Sequence, residues 1–88
     1  MIIVFELGSP EVNSARVTKL IKNNPKWARL TDSAFLITSN RSPAEVRDSI
    51  KVALMPGDKI FVGSSPAPSA WRGLSDEISK WIHANQKE

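Results

Sequence analysis

The chain has 88 residues, of which 41% are hydrophobic and 24% charged, and this balance excludes a wholly disordered chain and fits one domain with one modest core. It has no cysteine, which excludes disulfides and thiolate metal sites and fits a reducing compartment, and its net charge of +3 leans mildly toward an anionic partner. The opening apolar run is too short for a signal peptide or a membrane span, so we expect a cytoplasmic protein without a membrane partner.

Residues 1–8 predict the first strand. Five apolar residues stand in a row and are followed by a single acid, Glu6. Because side chains alternate between the two faces of a strand, this strand is apolar on both faces and is expected at the centre of its sheet. Glu6 is the residue in this stretch that packing does not explain.

A first helix is predicted after a turn at residues 8–12. Asn13 or Ser14 is placed to cap it, and an apolar stripe follows at helical spacing. Its end is expected before Pro25, because the residue that precedes a proline disfavours the helical conformation.

Residues 26–38 predict a hairpin of two strands around a short turn at residues 32–33. The first of these strands places Trp27, Arg29 and Thr31 on one face, and its charges favour a position at the edge of the sheet. The second, residues 34–38, is apolar on both faces and is therefore expected to be central.

The second helix carries the clearest local signal in the chain. Ser42, Pro43 and Glu45 form a capping-box pattern, in which serine caps the helix and glutamate reaches back to it. Apolar spacing extends this helix to Leu54, and residues 59–62 predict the fourth strand.

The order strand, helix, strand, strand, helix, strand predicts an α+β fold, a ferredoxin-like βαββαβ sandwich, over residues 1–64. Residues 65–88 add an extra C-terminal helix, which is expected to pack on the domain or on a dimer partner. A stiff polar linker is predicted at residues 64–69, and Ser75 is placed to cap the last helix.

The sheet face that carries Ile2 and Val4 needs a cover, because the two crossover helices pack on the opposite face. Trp71, Trp81 and Ile82 of the C-terminal segment can fold back onto it, or a second copy of the chain can dock there. We expect a homodimer, since symmetric pairs are the commonest assembly.

A cluster of basic residues lies between Val12 and Thr31, with no acid among them. A stripe of this kind can follow the phosphates of a nucleic acid, although a solvated helix face explains it as well. Arg72 lies in the C-terminal segment and is a further candidate. The cluster consists of Arg16, Lys19, Lys22, Lys26 and Arg29.

Two other features admit two interpretations each. Glu6 is either a solvated strand-end acid or, in a symmetric dimer, one of two facing carboxylates that share a divalent cation. The tryptophans can stack on bases, but each lies in an apolar pattern that favours packing. These tryptophans are Trp27, Trp71 and Trp81.

The chain resembles the SinR-like small proteins, which are relatives of the second small CRISPR-associated adaptation protein and of VapD-type toxins. The resemblance covers nearly the whole length. It lies in the order of the elements, the acid that ends the first strand, the hairpin at residues 27–38, and the stretches at residues 57–62 and 71–77.

The resemblance implies a ferredoxin-like homodimer that binds DNA or RNA. Nuclease members carry an aspartate at the end of the first strand and hold Mg²⁺ between the two copies. Here Phe5 and Glu6 occupy that position, and the longer side chain puts catalysis in question, so Mg²⁺ is expected only if the protein is an enzyme.

The sequence therefore predicts a small dimeric nucleic-acid-binding protein whose metal-dependent hydrolysis, through Glu6 as catalytic residue and metal ligand, is unproven. The alternative is a non-enzymatic protein-interaction module, such as a toxin, an inhibitor or a subunit of a complex. That module would use the apolar sheet face and the C-terminal tryptophans to bind a protein partner.

Overall fold

The computed structural model describes residues 1–64 and 69–85 and shows four strands and three helices. The predicted linker falls mostly on residues 65–68, which lie outside the described residues. In chain order, the elements are β1 (Ile2–Glu6), α1 (Pro10–Ile21), β2 (Lys26–Thr31), β3 (Ala34–Thr38), α2 (Pro43–Lys51), β4 (Lys59–Gly63) and α3 (Asp76–Asn85).

The four strands form one antiparallel sheet in the order β2-β3-β1-β4. β1 and β3 are the central strands, as their doubly apolar sequences predicted. β2 and β3 form the predicted hairpin, and β2 lies at an edge, where its charged side chains reach water.

The core lies between one face of this sheet and the helices α1 and α2. Ile3 and Phe5 of β1 and Phe35 and Ile37 of β3 share that face and are all buried. The helices contribute their own apolar stripes to the same cluster, which are Val17 and Ile21 from α1 and Val46 and Ile50 from α2. Alternation along the strands and helical spacing along the helices thus meet in one core.

The predicted N-cap of α1, Asn13 or Ser14, is wrong by four or five residues. The helix begins at Pro10 with Ser9 as its N-cap, and Asn13 lies inside it as a buried side chain. Proline is well suited to the first helical position, because its missing N–H would have no partner there.

The capping box of α2 is confirmed. The Ser42 hydroxyl accepts from the Glu45 N–H at 3.1 Å, and the Glu45 carboxylate accepts from the Ser42 N–H at 3.0 Å. These bonds, with that of the Ser42 N–H first, lower the pKa of Glu45 below its ordinary value. The helix ends at Lys51, short of the predicted Leu54, and Ala53 is still buried in the turns that follow.

The second face of the sheet is only partly covered by the chain's own C-terminal helix. α3 lies against β2, and Ile82 of α3 is buried, as are Ala28 and Leu36 on that side of the hairpin. Towards the other edge, Val4 is 39% and Phe61 is 63% exposed, and the two are cross-strand partners. We call the surface formed by Ile2, Val4 and Phe61 the open half-face.

Within residues 1–64 and 69–85, none of the helices has the length and the apolar character needed to cross a membrane.

Candidate nucleic-acid interface

Three of the predicted basic residues line one surface groove between α1 and β2. Lys19 comes from the outer side of α1, Lys22 is the C-cap of that helix, and Arg29 comes from β2. The groove has a volume of about 420 Å³, and the rest of its lining consists of Ser14, Ala15, Thr18 and Asn23. Helical spacing places the two lysines one turn apart, so that both face the same neighbouring strand.

The guanidinium of Arg29 is held at the end of the hairpin. Its Nε donates to the carbonyl of Thr31 at 3.4 Å, and a terminal nitrogen donates to the carbonyl of Asp32 at 3.3 Å. The carboxylate of Asp32 is 3.9 Å away and fully in solvent, so this ion pair is weak. Arg29 also lies over the ring of Phe35, 5.3 Å from its centroid, which directs its side chain along the sheet surface.

A shift in strand register lies beside this arginine. Arg29 pairs with Phe35 and Thr31 pairs with Ala34, so β2 contains one extra residue, Leu30, between the two pairs. The predicted face shared by Trp27, Arg29 and Thr31 therefore holds for the first two only, since Thr31 belongs to the row of Ala34 on the other side. Irregularities of this kind change the direction of side chains at an edge strand.

The other predicted basic residues do not line the groove. Arg16 is exposed on α1, one turn before Lys19, and Lys26 is exposed at the start of β2. By alternation, Lys26 belongs to the opposite sheet face from Trp27 and Arg29. Arg72 is exposed in the segment before α3, which packs from that opposite face.

Trp27 adjoins the groove through Lys22. The ammonium of Lys22 lies over the indole, 4.6 Å from the ring centroid, and Trp27 remains 38% exposed. On its inner side the indole contacts the buried ring of Phe35, with centroids 6.3 Å apart. Sequence reasoning missed this pairing, because it depends on the path of the chain between α1 and β2.

A second hollow, of about 500 Å³, continues from the groove toward the end of β1. The two share Ser14 and Arg29, and Glu6 and Asp32 add carboxylates to the second. The combined surface thus changes from basic, beside α1, to mixed charge at the hairpin turn.

Glu6 lies at the end of β1, as predicted, and its partner is a cation on the neighbouring strand. The Nζ of Lys59 is 3.3 Å from its carboxylate, and both side chains are about three-quarters exposed. An exposed pair of this kind stabilises the fold little. Within the described ranges there is no group of three or more histidine, cysteine, aspartate or glutamate residues placed to hold a metal ion.

Asp58 connects segments that are distant in sequence. Its carboxylate accepts from the N–H of Gly8 at 2.9 Å, from the N–H of Met55 at 2.8 Å and from the side-chain amide of Asn13 at 2.9 Å. These bonds, with that of Gly8 first, lower the pKa of Asp58 below its ordinary value. The same Asn13 amide donates to the Ala53 carbonyl at 2.8 Å, so the network joins α1 to the loop that follows α2.

Trp71 packs against other residues of the C-terminal segment. The indole N–H of Trp71 donates to the Ser79 hydroxyl at 2.9 Å, and the ring lies 5.2 Å from that of His83. Ser75 caps α3 as predicted, because its hydroxyl accepts from the Ile78 N–H at 3.2 Å. His83 lies in the last turn of α3, where a basic side chain is favourable.

Comparison with protein-family models, with curated proteins and with solved structures finds no match, so the surface has to be interpreted from its own geometry.

Proposed function

We propose that the chain is a small nucleic-acid-binding protein of ferredoxin-like topology that acts as a homodimer in the cytoplasm. The topology is supported by the strand order, which is β4-β1-β3-β2 when the sheet is followed from its other edge. Two strand–helix–strand crossovers joined by a hairpin produce this order. The absence of cysteine fits the cytoplasmic location.

The observation that carries the binding proposal is the convergence of Lys19, Lys22 and Arg29 on one groove. Their side chains come from two elements and face one channel, which is an arrangement suited to successive phosphates. If the two lysines formed only a solvated helix face, no arginine of the neighbouring strand would be needed beside them. Arg16, Lys26 and Arg72 lie outside the groove and would act as longer-range attractive charges.

The test is a mobility-shift assay at several salt concentrations with labelled DNA and RNA. Phosphate contacts release counterions, so affinity must fall steeply as the salt concentration rises. Changing Lys19, Lys22 and Arg29 together to Gln should flatten the plot of log affinity against log salt by about 2, at roughly 0.7 for each lost contact with a single strand. The matched control changes three exposed cations elsewhere, Arg47, Lys51 and Lys80, to Gln.

Both variants lose three positive charges. Binding through a specific groove predicts a larger loss of affinity for the groove variant than for the control. Equal losses in the two variants would assign binding to overall charge. No shift at low salt with the wild-type chain would reject the proposal.

The hydrolytic form of the proposal takes Mg²⁺ as cofactor and Glu6 as its ligand. The described residues of one chain do not fit that ion, because Glu6 has a lysine as its neighbour and residues 1–64 and 69–85 place no group of further ligands there. Hydrolysis would therefore need both copies of Glu6 in a dimer. Mg²⁺-dependent cleavage that Glu6→Ala abolishes would support this form, and cleavage that persists in the variant would assign it to another source.

A second candidate is a protein-interaction module, such as a toxin, an inhibitor or a complex subunit, and the open half-face favours it. Val4 and Phe61 expose apolar surface that a different protein can cover as well as a second copy can. Purification as a stoichiometric complex with another protein, free of nucleic-acid absorbance, would support this candidate over the first.

A further inference from the structure

The surroundings of Trp27 combine an aromatic ring packed against the core with an exposed positive charge. The inner side of the indole packs against Phe35, which is fully buried, and the outer side reaches the surface beneath the ammonium of Lys22. A ring held by the core loses little freedom when a ligand stacks on it. The lysine above it is exposed, and exposed cation–π contacts are weak enough to exchange.

The ring also stands in line with the groove. Lys22 lines the groove and covers the ring, so it spans the two features. Trp27 and Arg29 occupy the same face of β2 two residues apart, a separation of about 7 Å along a strand. The surface therefore offers cations and an aromatic face in one row along the β2 edge.

We propose that this row binds a single strand of nucleic acid, with its phosphates on Lys19, Lys22 and Arg29 and one unpaired base stacked on Trp27. In the bound state, the ammonium of Lys22 leaves the indole and pairs with a phosphate, and the base takes its place. The inference rests on the proposed function and adds the class of nucleic acid that the groove accepts.

Base accessibility is what selects the single strand. In a duplex the flat faces of the bases are covered by their neighbours, whereas in a single strand they are free to stack on aromatic side chains. Contacts with duplex phosphates are made by the cations alone, so an exposed indole at the end of the groove would add nothing to duplex binding. Stacking is also tolerant of sequence, because every base has a flat face.

The experiment measures binding of labelled oligo(dT), oligo(U) and a DNA duplex of the same length by fluorescence anisotropy at several salt concentrations. The wild-type chain should bind at least one of the two single strands roughly tenfold or more tightly than the duplex. The two single strands also report whether DNA or RNA is preferred.

Trp27→Leu should weaken single-strand binding by roughly tenfold or more and leave the salt dependence unchanged, because it removes stacking and no charge. Lys22→Met should instead lower the salt dependence by about 0.7, with a loss of affinity that shrinks as the salt concentration rises, because it removes one phosphate contact. Trp71→Leu is the matched control, since Trp71 packs on α3 at the opposite sheet face and should leave affinity unchanged.

Trp27→Phe keeps an aromatic ring packed against Phe35. It therefore allows the test to be made even if the leucine variant does not fold. Bound oligo(dT) should quench tryptophan emission in the wild type, and this quench should vanish in Trp27→Phe. An equal quench in both chains, or an affinity for single strands that a folded Trp27→Leu retains, overturns the inference.

The inference and the proposed function fail in different ways. Equal affinity for duplex and single strands overturns the stacking site and leaves the phosphate groove in place. Absence of binding to all three probes at low salt overturns both.

Discussion

Asn13 fills a buried position on α1, and only one end of its amide is used. The side chain is 6% exposed, and its nitrogen donates both to the Ala53 carbonyl and to Asp58. Its oxygen is buried without a hydrogen-bond partner among the described residues. A buried acceptor of this kind carries a desolvation cost, which the two donated bonds have to offset.

Asn13→Ala should destabilise the protein by about 1–3 kcal/mol, because the Ala53 carbonyl loses a buried donor. Urea unfolding followed by circular dichroism measures the change. Ala15→Ser is a suitable control, since residue 15 is exposed on the same helix and should change stability by less than about 0.5 kcal/mol. If the variant were as stable as the wild type, the free-energy cost of burying the unpaired Asn13 oxygen would equal the stabilisation from its two donated hydrogen bonds.

Asp58 should make folding stability depend on pH in the acid range. Hydrogen bonds, with that from the Gly8 N–H first, keep its folded-state pKa below the ordinary value. A carboxylate whose pKa is lowered by folding contributes its full stability above the unfolded-state pKa of about 4, and this contribution is lost as the pH falls through the lower folded-state value. The melting temperature of the wild type should therefore drop on acidification.

Asp58→Asn removes this titrating group and places an amide among three donors. The variant should melt at a lower temperature near neutral pH and lose less on acidification than the wild type does. Glu45 has a lowered pKa for a similar reason, so some acid dependence should survive. A pH profile that is parallel to that of the wild type would exclude Asp58 as a contributor.

At the scale of elements, α3 stabilises the sheet through one buried residue. Ile82 lies on the side of α3 that faces β2, where Ala28 and Leu36 are also buried. Ile82→Ala should cost about 2–3 kcal/mol, because it leaves a cavity between helix and sheet. Chemical denaturation tests this, with the exposed Lys80→Ala on the same helix as control. An unchanged midpoint for the isoleucine variant would mean that α3 does not pack on the sheet in solution.

Most elements were predictable because their signals are local. Unbroken apolar runs identified β1 and β3, and the Ser42–Glu45 pattern identified the start of α2. The start of α1 carries the same Ser-Pro pair at Ser9 and Pro10, but it has Val12 where α2 has Glu45, and the Ser9 side chain makes no capping bond. With the second half of the capping box absent, the pair was interpreted as a turn.

The groove was predictable only in part. The basic residues could be collected from the sequence, but their division into groove and surroundings depends on which sheet face each strand residue occupies. The extra residue Leu30 changes that alternation between Arg29 and Thr31. The contact of Lys22 with Trp27 and the joining of Asn13 to Asp58 are tertiary contacts that no local pattern encodes.

For the whole molecule, the open half-face is the feature that bears on assembly. The ring of Phe61 leans over Gly63, where an added Cβ would lie only 3.0 Å from the ring, so the glycine leaves room for it. With Val4 opposite, this gives an exposed apolar surface on β1 and β4, beyond the part that α3 covers. Apolar surface of this kind favours contact with a second chain.

Phe61→Asp should convert the proposed homodimer to a monomer, because it places a charge in the apolar half-face. Light scattering after size-exclusion chromatography measures the mass over a range of concentrations. The control is Val52→Asp, which adds the same charge at an apolar residue of similar exposure, 65% against 63%, outside the half-face. A wild-type chain that stays monomeric at every concentration would reject the dimer.

The two borders of the sheet differ, and this difference limits how far such molecules can polymerise. At one border, β2 carries Lys26, Arg29 and the extra residue Leu30, which together obstruct the addition of a further strand. At the other, β4 is regular and pairs with β1 along all five of its residues. Strand pairing through the β4 edge alone joins two sheets at most, so edge-to-edge pairing should not extend this sheet into a ribbon.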